Sequence, residues 1–130
     1  MSAGLRRRFA ITALLAVVLF VAAVSNEVYE VTSPAWLSWH VLLRKAYSIV
    51  AFGTLAALAA PLWPDRRAVW RLPVLLAVYS AAIELGQWLH GGREGLGYNA
   101  FDVGCGAAGG LLGAYAARWF RPKTQRRTSP

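Results

Sequence analysis

Acidic side chains are scarce in this chain: six Asp and Glu stand against 14 Lys and Arg among 130 residues, for a net charge of +8. Charge of either sign is thin, at 15% of residues. Soluble domains average roughly a quarter, and a small water-soluble fold has a large surface that so few charges cover poorly. Cysteine is nearly missing. Cys105 stands alone, which excludes an internal disulfide and any multi-cysteine metal site. Its Gly/Ala-rich surroundings suit a small packing residue. No metal motif of the HExxH kind occurs, and His40 and His90 are too few to make a zinc site by themselves. No metal and no cofactor is expected, and no catalytic residue is identified.

Apolar residues are abundant, at 57%. The basic residues cluster beside long apolar runs, which points to anionic headgroups and membrane topology rather than to nucleic acid. Crossing the hydrocarbon core takes about 20 helical residues. Four stretches approach that length: residues 9–25, 41–62, 72–90 and 101–120. The six tryptophans fall near the ends of these stretches, as an interfacial belt requires. Ser33-Pro34 suits an N-cap and first helical position for the second stretch. Pro73 suits the first turn of the third, and Gly91-Gly92 ends it. The expected fold is all-α, a four-helix transmembrane bundle over residues 1–120, followed by a basic, polar cytoplasmic tail at 121–130.

Lys and Arg favour the cytoplasmic side of membrane helices. Three regions, the head from Arg6 to Arg8, the connection with Arg66, Arg67 and Arg71, and the end from Arg118 to Arg127, hold 11 of the 14 basic residues. They alternate as an N-in, C-in bundle demands. A second reading of residues 1–25 is a cleaved signal peptide, with a basic start, an apolar middle and Ala23-Val24-Ser25 as a small-residue site. Cleavage would cost the other helices a packing partner, so the retained helix is preferred.

Ionisable groups within a bilayer cost a few kcal/mol each, so each one invites a functional reading. On the expected topology Lys45, Glu84, Gln87, Arg93 and Asp102 all fall toward the outer half. Glu84 and Gln87 share a helix face, with Ser80 one turn below. Lys45, Ser48 and Phe52 share another. Gly106-Gly110 and Gly109-Gly113 form two GxxxG pairs that permit close helix approach. The expected picture is an outward polar pocket lined by Lys45, Glu84, Gln87, Arg93 and Asp102. Plainer readings stand beside it. Arg44 and Lys45 would snorkel to the interface, Asp102 would only complement a helix N-terminus, and Arg93 would be a solvated loop residue. Glu84 sits mid-helix and needs a cation, a proton or water; an ion pair with Lys45 or Arg93 is one solution.

At these residues the chain resembles the VanZ-like family of small bacterial membrane proteins. That family has a Lys near the start of one helix, then a helix bearing E-x-x-Q, an Arg in a short loop, and an Asp opening a Gly-rich helix. Here these are Lys45, Glu84-Leu85-Gly86-Gln87, Arg93, and Asp102 with Gly109 beyond. The family's usual D-K-x-x-H has Arg44 for its Asp and Ser48 for its His, and Gly106 stands where an Asn is usual. The resemblance implies a multi-pass protein of the bacterial inner membrane with a cell-envelope role and an association with glycopeptide resistance. The leading expectation is a non-catalytic protein whose pocket binds an anionic lipid-linked or cell-wall-related group. Membrane lipids are its expected partners, and the GxxxG pairs permit a homodimer. The alternatives are a membrane-embedded enzyme acting on a lipid phosphate through Glu84 and Asp102, and a small proton-coupled transporter.

Overall fold

The computed structural model describes residues 2–32, 39–63, 67–90 and 96–120, and every regular element among them is helical. Helix α1 is Ala3–Val24, α2 is the short Asn26–Thr32, α3 is His40–Ala59 continued by a 3₁₀ turn Ala60–Leu62, α4 is Ala68–Leu89, and α5 is Leu96–Trp119. Three of these, Ala3–Val24, His40–Leu62 and Val69–Leu89, are long and apolar enough to cross a membrane. The longest, α5, has 24 residues but carries six glycines, which dilute its apolar character.

Local chemistry explains most boundaries. Ser2 caps α1, its Oγ accepting from the Leu5 amide at 3.4 Å. Ser25 does the same for α2, accepting from Val28 N at 3.5 Å, with Glu27 in the positive first turn. Pro61 sits in the 3₁₀ turn that ends α3. The helices α1, α4 and α5 begin six, four and five residues before the apolar stretches read from sequence, because a helix continues past the part that needs lipid. Pro73 therefore lies inside α4 rather than in its first turn. Packed neighbours make such a proline tolerable in a membrane helix, and here α5 lies directly against it. Ser33-Pro34, Gly91-Gly92 and the tail at 121–130 lie outside the described residues.

The bundle is organised around α5, which is wedged between α3 and α4. It runs parallel to α3 and antiparallel to α4. Its glycines explain the close approach. A Cβ added at Gly109 would stand 2.7 Å from Ile49 O and 2.8 Å from Phe52 Cβ on α3, and one at Gly113 would collide with the Gly53 carbonyl. A Cβ at Gly106 would stand 2.9 Å from Ser80 Cβ, and one at Gly110 2.9 Å from Pro73 Cα, both on α4. The two GxxxG pairs thus serve two different neighbours within one chain. Both are taken by internal packing, which leaves any self-association to other faces.

Apolar contacts follow the same stripes. Phe52, Leu55, Ala56, Leu76 and Ile83 form one buried cluster, and Ala59, Ala60, Leu72 and Ala114 form a second toward the other end. Helix α1 packs outside this trio. It buries no residue fully and touches the first cluster through Leu15, Ala16, Phe20 and Ala23. Two side-chain bonds from α4 hold it: Tyr79 Oη donates to Ala16 O at 2.5 Å, and Gln87 Nε2 donates to Ala23 O at 2.9 Å. The outer surface is apolar, with Leu14, Val50, Val78 and Leu112 all exposed. Trp39, Trp70, Trp88 and Trp119 are exposed at helix ends.

Candidate functional site

Only three polar or charged residues are buried among those described: Lys45 at 4% exposure, Ser80 at 3% and Asp102 at 7%. They meet at one level where α3, α4 and α5 converge. The spacing of the helices brings them there. Asp102, Gly106, Gly109 and Gly113 lie on one stripe of α5, at intervals of four, three and four residues, so the stripe that seats the glycines also buries the carboxylate. Lys45 and Phe52 lie one heptad apart on the facing stripe of α3.

Lys45 Nζ forms an ion pair with Asp102 Oδ1. Ser80 Oγ, from α4, donates to the backbone carbonyl of Asp102 at 3.1 Å. Phe101 covers the ammonium, its ring centroid 5.6 Å from Nζ, a distance within cation–π range. Arg44 approaches from the other side, with a guanidinium nitrogen 3.8 Å from Asp102 Oδ2. That is too long for a hydrogen bond. Asp102 Oδ2 is buried without a hydrogen-bond partner, and Lys45 Nζ is buried with the Asp102 Oδ1 ion pair as its polar contact. A buried, under-satisfied charged pair costs stability compared with an apolar filling of the same volume. Its presence therefore asks for an explanation beyond folding.

Beside the pair lies a partly open cavity of about 230 Å³. Its polar wall includes Arg44, Ser48, Ser80, Glu84, Gln87 and Asp102, and its apolar wall comes from α1, α2, α3 and α4. Five helices contribute to it, so it exists only in the assembled bundle.

Of the residues expected at the pocket, Glu84, Gln87 and Asp102 line this cavity, and Lys45 lies directly behind Asp102. Arg93 lies outside the described residues. The structure changes the pairing. The carboxylate that takes the Lys45 ammonium is Asp102 and not Glu84, because α5 rather than α4 presents a carboxylate to that face of α3. Lys45 does not snorkel, and Asp102 is not a terminal charge: it lies in the second turn of α5 and is buried. Gln87 spends its amide on the Ala23 carbonyl and so joins α1 to the site. Cys105, one turn after Asp102, is buried and free, a packing residue as its surroundings suggested. No group of three or more His, Cys, Asp or Glu converges among the described residues.

Two contributors were not expected. Arg44 belongs to the cavity wall, and its position beside Lys45 at the same depth was the available signal. Helix α2 adds Val28 and Thr32, which no periodicity in so short a segment announces.

Compared with known protein families, with curated proteins and with solved structures, the chain finds no match.

Proposed function

We propose that the protein is a VanZ-like membrane protein of the bacterial inner membrane that crosses the bilayer four times, N-in and C-in, and binds an anionic envelope-lipid headgroup in the cavity beside Asp102. The observation that carries this reading is Arg44 on the cavity wall, 3.8 Å from a carboxylate already paired with Lys45. Lys45 holds Asp102, and Arg44 lines a space large enough for a headgroup. Arg suits bidentate phosphate or carboxylate contact. The exposed basic residues at the opposite end of the helices, Arg6, Arg7, Arg8, Arg67, Arg71 and Arg118, support the orientation, since they flank the cytoplasmic side on this reading.

Anion holding thus falls to Arg44, with Lys45 as the charge that neutralises Asp102. Asp102 is engaged by Lys45 rather than set against Glu84 as an acid/base partner, so binding is preferred to catalysis. Where the family has an Asn, Gly106 lies too close to α4 for any side chain, and the site here operates without one. A link to glycopeptide resistance remains an implication of the family resemblance alone.

The test is lipid binding by the purified protein. Native mass spectrometry from mixed micelles should show retention of phosphatidylglycerol over phosphatidylcholine, reduced several-fold in Arg44→Gln. Equal retention of both lipids, or an indifferent Arg44→Gln that folds normally, rejects the reading.

A further inference from the structure

The proposed occupant must reach its site. The cavity holds about 230 Å³, room for a lipid headgroup but not for the acyl chains attached to it. Those chains stay in the bilayer, because apolar surface drawn into water carries a free-energy cost. The headgroup therefore enters sideways, through a wall that separates the cavity from lipid. The walls differ in how firmly they are fixed. Helices α3, α4 and α5 meet backbone to backbone: a Cβ at Gly109 would stand 2.7 Å from Ile49 O, and one at Gly106 3.0 Å from Leu76 O. Parting them would empty those contacts and bare the Lys45–Asp102 pair. Helix α1 supplies Leu19, Ala22 and Ala23 to the inside of the cavity and turns Val17, Val18 and Val21 outward. It buries no residue fully. Its outer end is held by Gln87, itself a cavity residue, whose amide donates to Ala23 O at 2.9 Å. Ala23 is the second-last residue of α1, so this carbonyl is one of those a helix leaves without an amide of its own. Beyond it, Ser25 breaks the helix with an extended backbone, at φ −68° and ψ 127°, before α2 begins. Elements that admit ligands are drawn from the least stabilised parts of a fold, and here that part is α1.

We infer that the outer half of α1, with α2 after it, is a lateral gate between the cavity and the bilayer, and that Gln87 is its latch. Lifting Ala23 from Gln87 opens the cavity to lipid while the glycine-packed core stays shut. This rests on the lipid-binding reading above and adds the route by which the site is filled.

A disulfide across the closed gate tests it. A Cβ at Gly86 would stand 3.0 Å from Val24 Cγ2 and 3.8 Å from Val24 Cγ1, so cysteines at the two positions lie within disulfide reach. The protein carries Val24→Cys and Gly86→Cys in a Cys105→Ala background, which removes the one native thiol. Native mass spectrometry follows binding of phosphatidylglycerol from mixed micelles, with the protein reduced and oxidised. The reduced protein should exchange the lipid freely. Oxidised while empty, it should fail to take lipid up; oxidised after loading, it should fail to release it, and reduction should restore both. Retention after loading separates a locked gate from a distorted cavity, which would lose its lipid. Exchange in the oxidised protein as fast as in the reduced one, or loss of lipid from the loaded protein on oxidation, overturns the gate and leaves the binding reading standing. Failure of the binding reading looks different: phosphatidylcholine enters the reduced protein as readily as phosphatidylglycerol, and if the disulfide blocks both, the gate stands for a wider range of lipids. No lipid bound in either state overturns both. Where the disulfide does not form, Tyr79→Phe decides, since it removes a second bond to α1 from a residue that does not line the cavity. Release should quicken about threefold, the rate equivalent of an average hydrogen bond between membrane helices, and unchanged release overturns the gate.

Discussion

The two ends of the α3–α4–α5 core are built on opposite principles. Toward Trp119 the helices meet backbone to backbone through Gly53, Gly109, Gly110 and Gly113, with Ala56, Ala59 and Ala114 filling what space remains. Toward Leu96 the same stripes carry Lys45, Ser80 and Asp102, and a cavity opens beside them. In lipid no hydrophobic force drives helices together, so packing of small residues must do so. The tight end supplies that association. The loose end can then hold a charged pair and a cavity that would not by themselves keep a bundle closed.

Substitutions should separate the two ends. The largest loss is expected at the charged end. Asp102→Leu leaves the Lys45 ammonium buried without its counter-charge, and breaking such a pair costs about 3–5 kcal/mol; SDS unfolding from mixed micelles measures it. Next comes the tight end. Gly113→Val forces a side chain into the Gly53 carbonyl, and overpacking costs about 1–3 kcal/mol, read in the same assay.

Smaller effects sharpen the contrast with the outlying α1. Tyr79→Phe removes the bond to Ala16 O, and side-chain hydrogen bonds between membrane helices average about 0.6 kcal/mol. The expected result is a slight loss of stability with easier proteolysis of α1. Smallest of all is Gly104→Ala. Nothing lies within 4 Å of a Cβ there, so stability should change by less than about 0.5 kcal/mol. A large loss at Gly104 would mean that α5 is rotated from the orientation described.

That rotation marks the boundary of what the sequence could tell. Helical segments and, of the four apolar stretches read from sequence, the three long and apolar enough to cross a membrane are legible from apolar runs, as is the gathering of polar residues at one level. The GxxxG pairs are legible as packing surfaces. Their partners are not, since nothing in the order of residues states that Gly106 faces Ser80 while Gly109 faces Phe52. The same gap hid the partner of Lys45. The sequence reading offered Lys45 to Glu84 and took Asp102 for a helix-terminal charge, and only the insertion of α5 between α3 and α4 reveals the pairing with Asp102. A signal did exist: Asp102 stands four residues before Gly106 on the stripe of small residues, which marks it as inward-facing. Reading it as the opening residue of a helix concealed that, because the helix begins at Leu96. The wall contributed by α2 was out of reach, since seven residues capped by Ser25 carry too little pattern.

The measurement closest to the central claim is a double-mutant cycle on Lys45→Met and Asp102→Leu, followed by SDS unfolding. If the two charges meet in the core of the bundle, each single variant is strongly destabilised and the double variant recovers most of the loss, with an interaction of more than about 2 kcal/mol. Additivity within about 0.5 kcal/mol would mean that the two side chains do not meet, and that the cavity has no charged wall of the kind described.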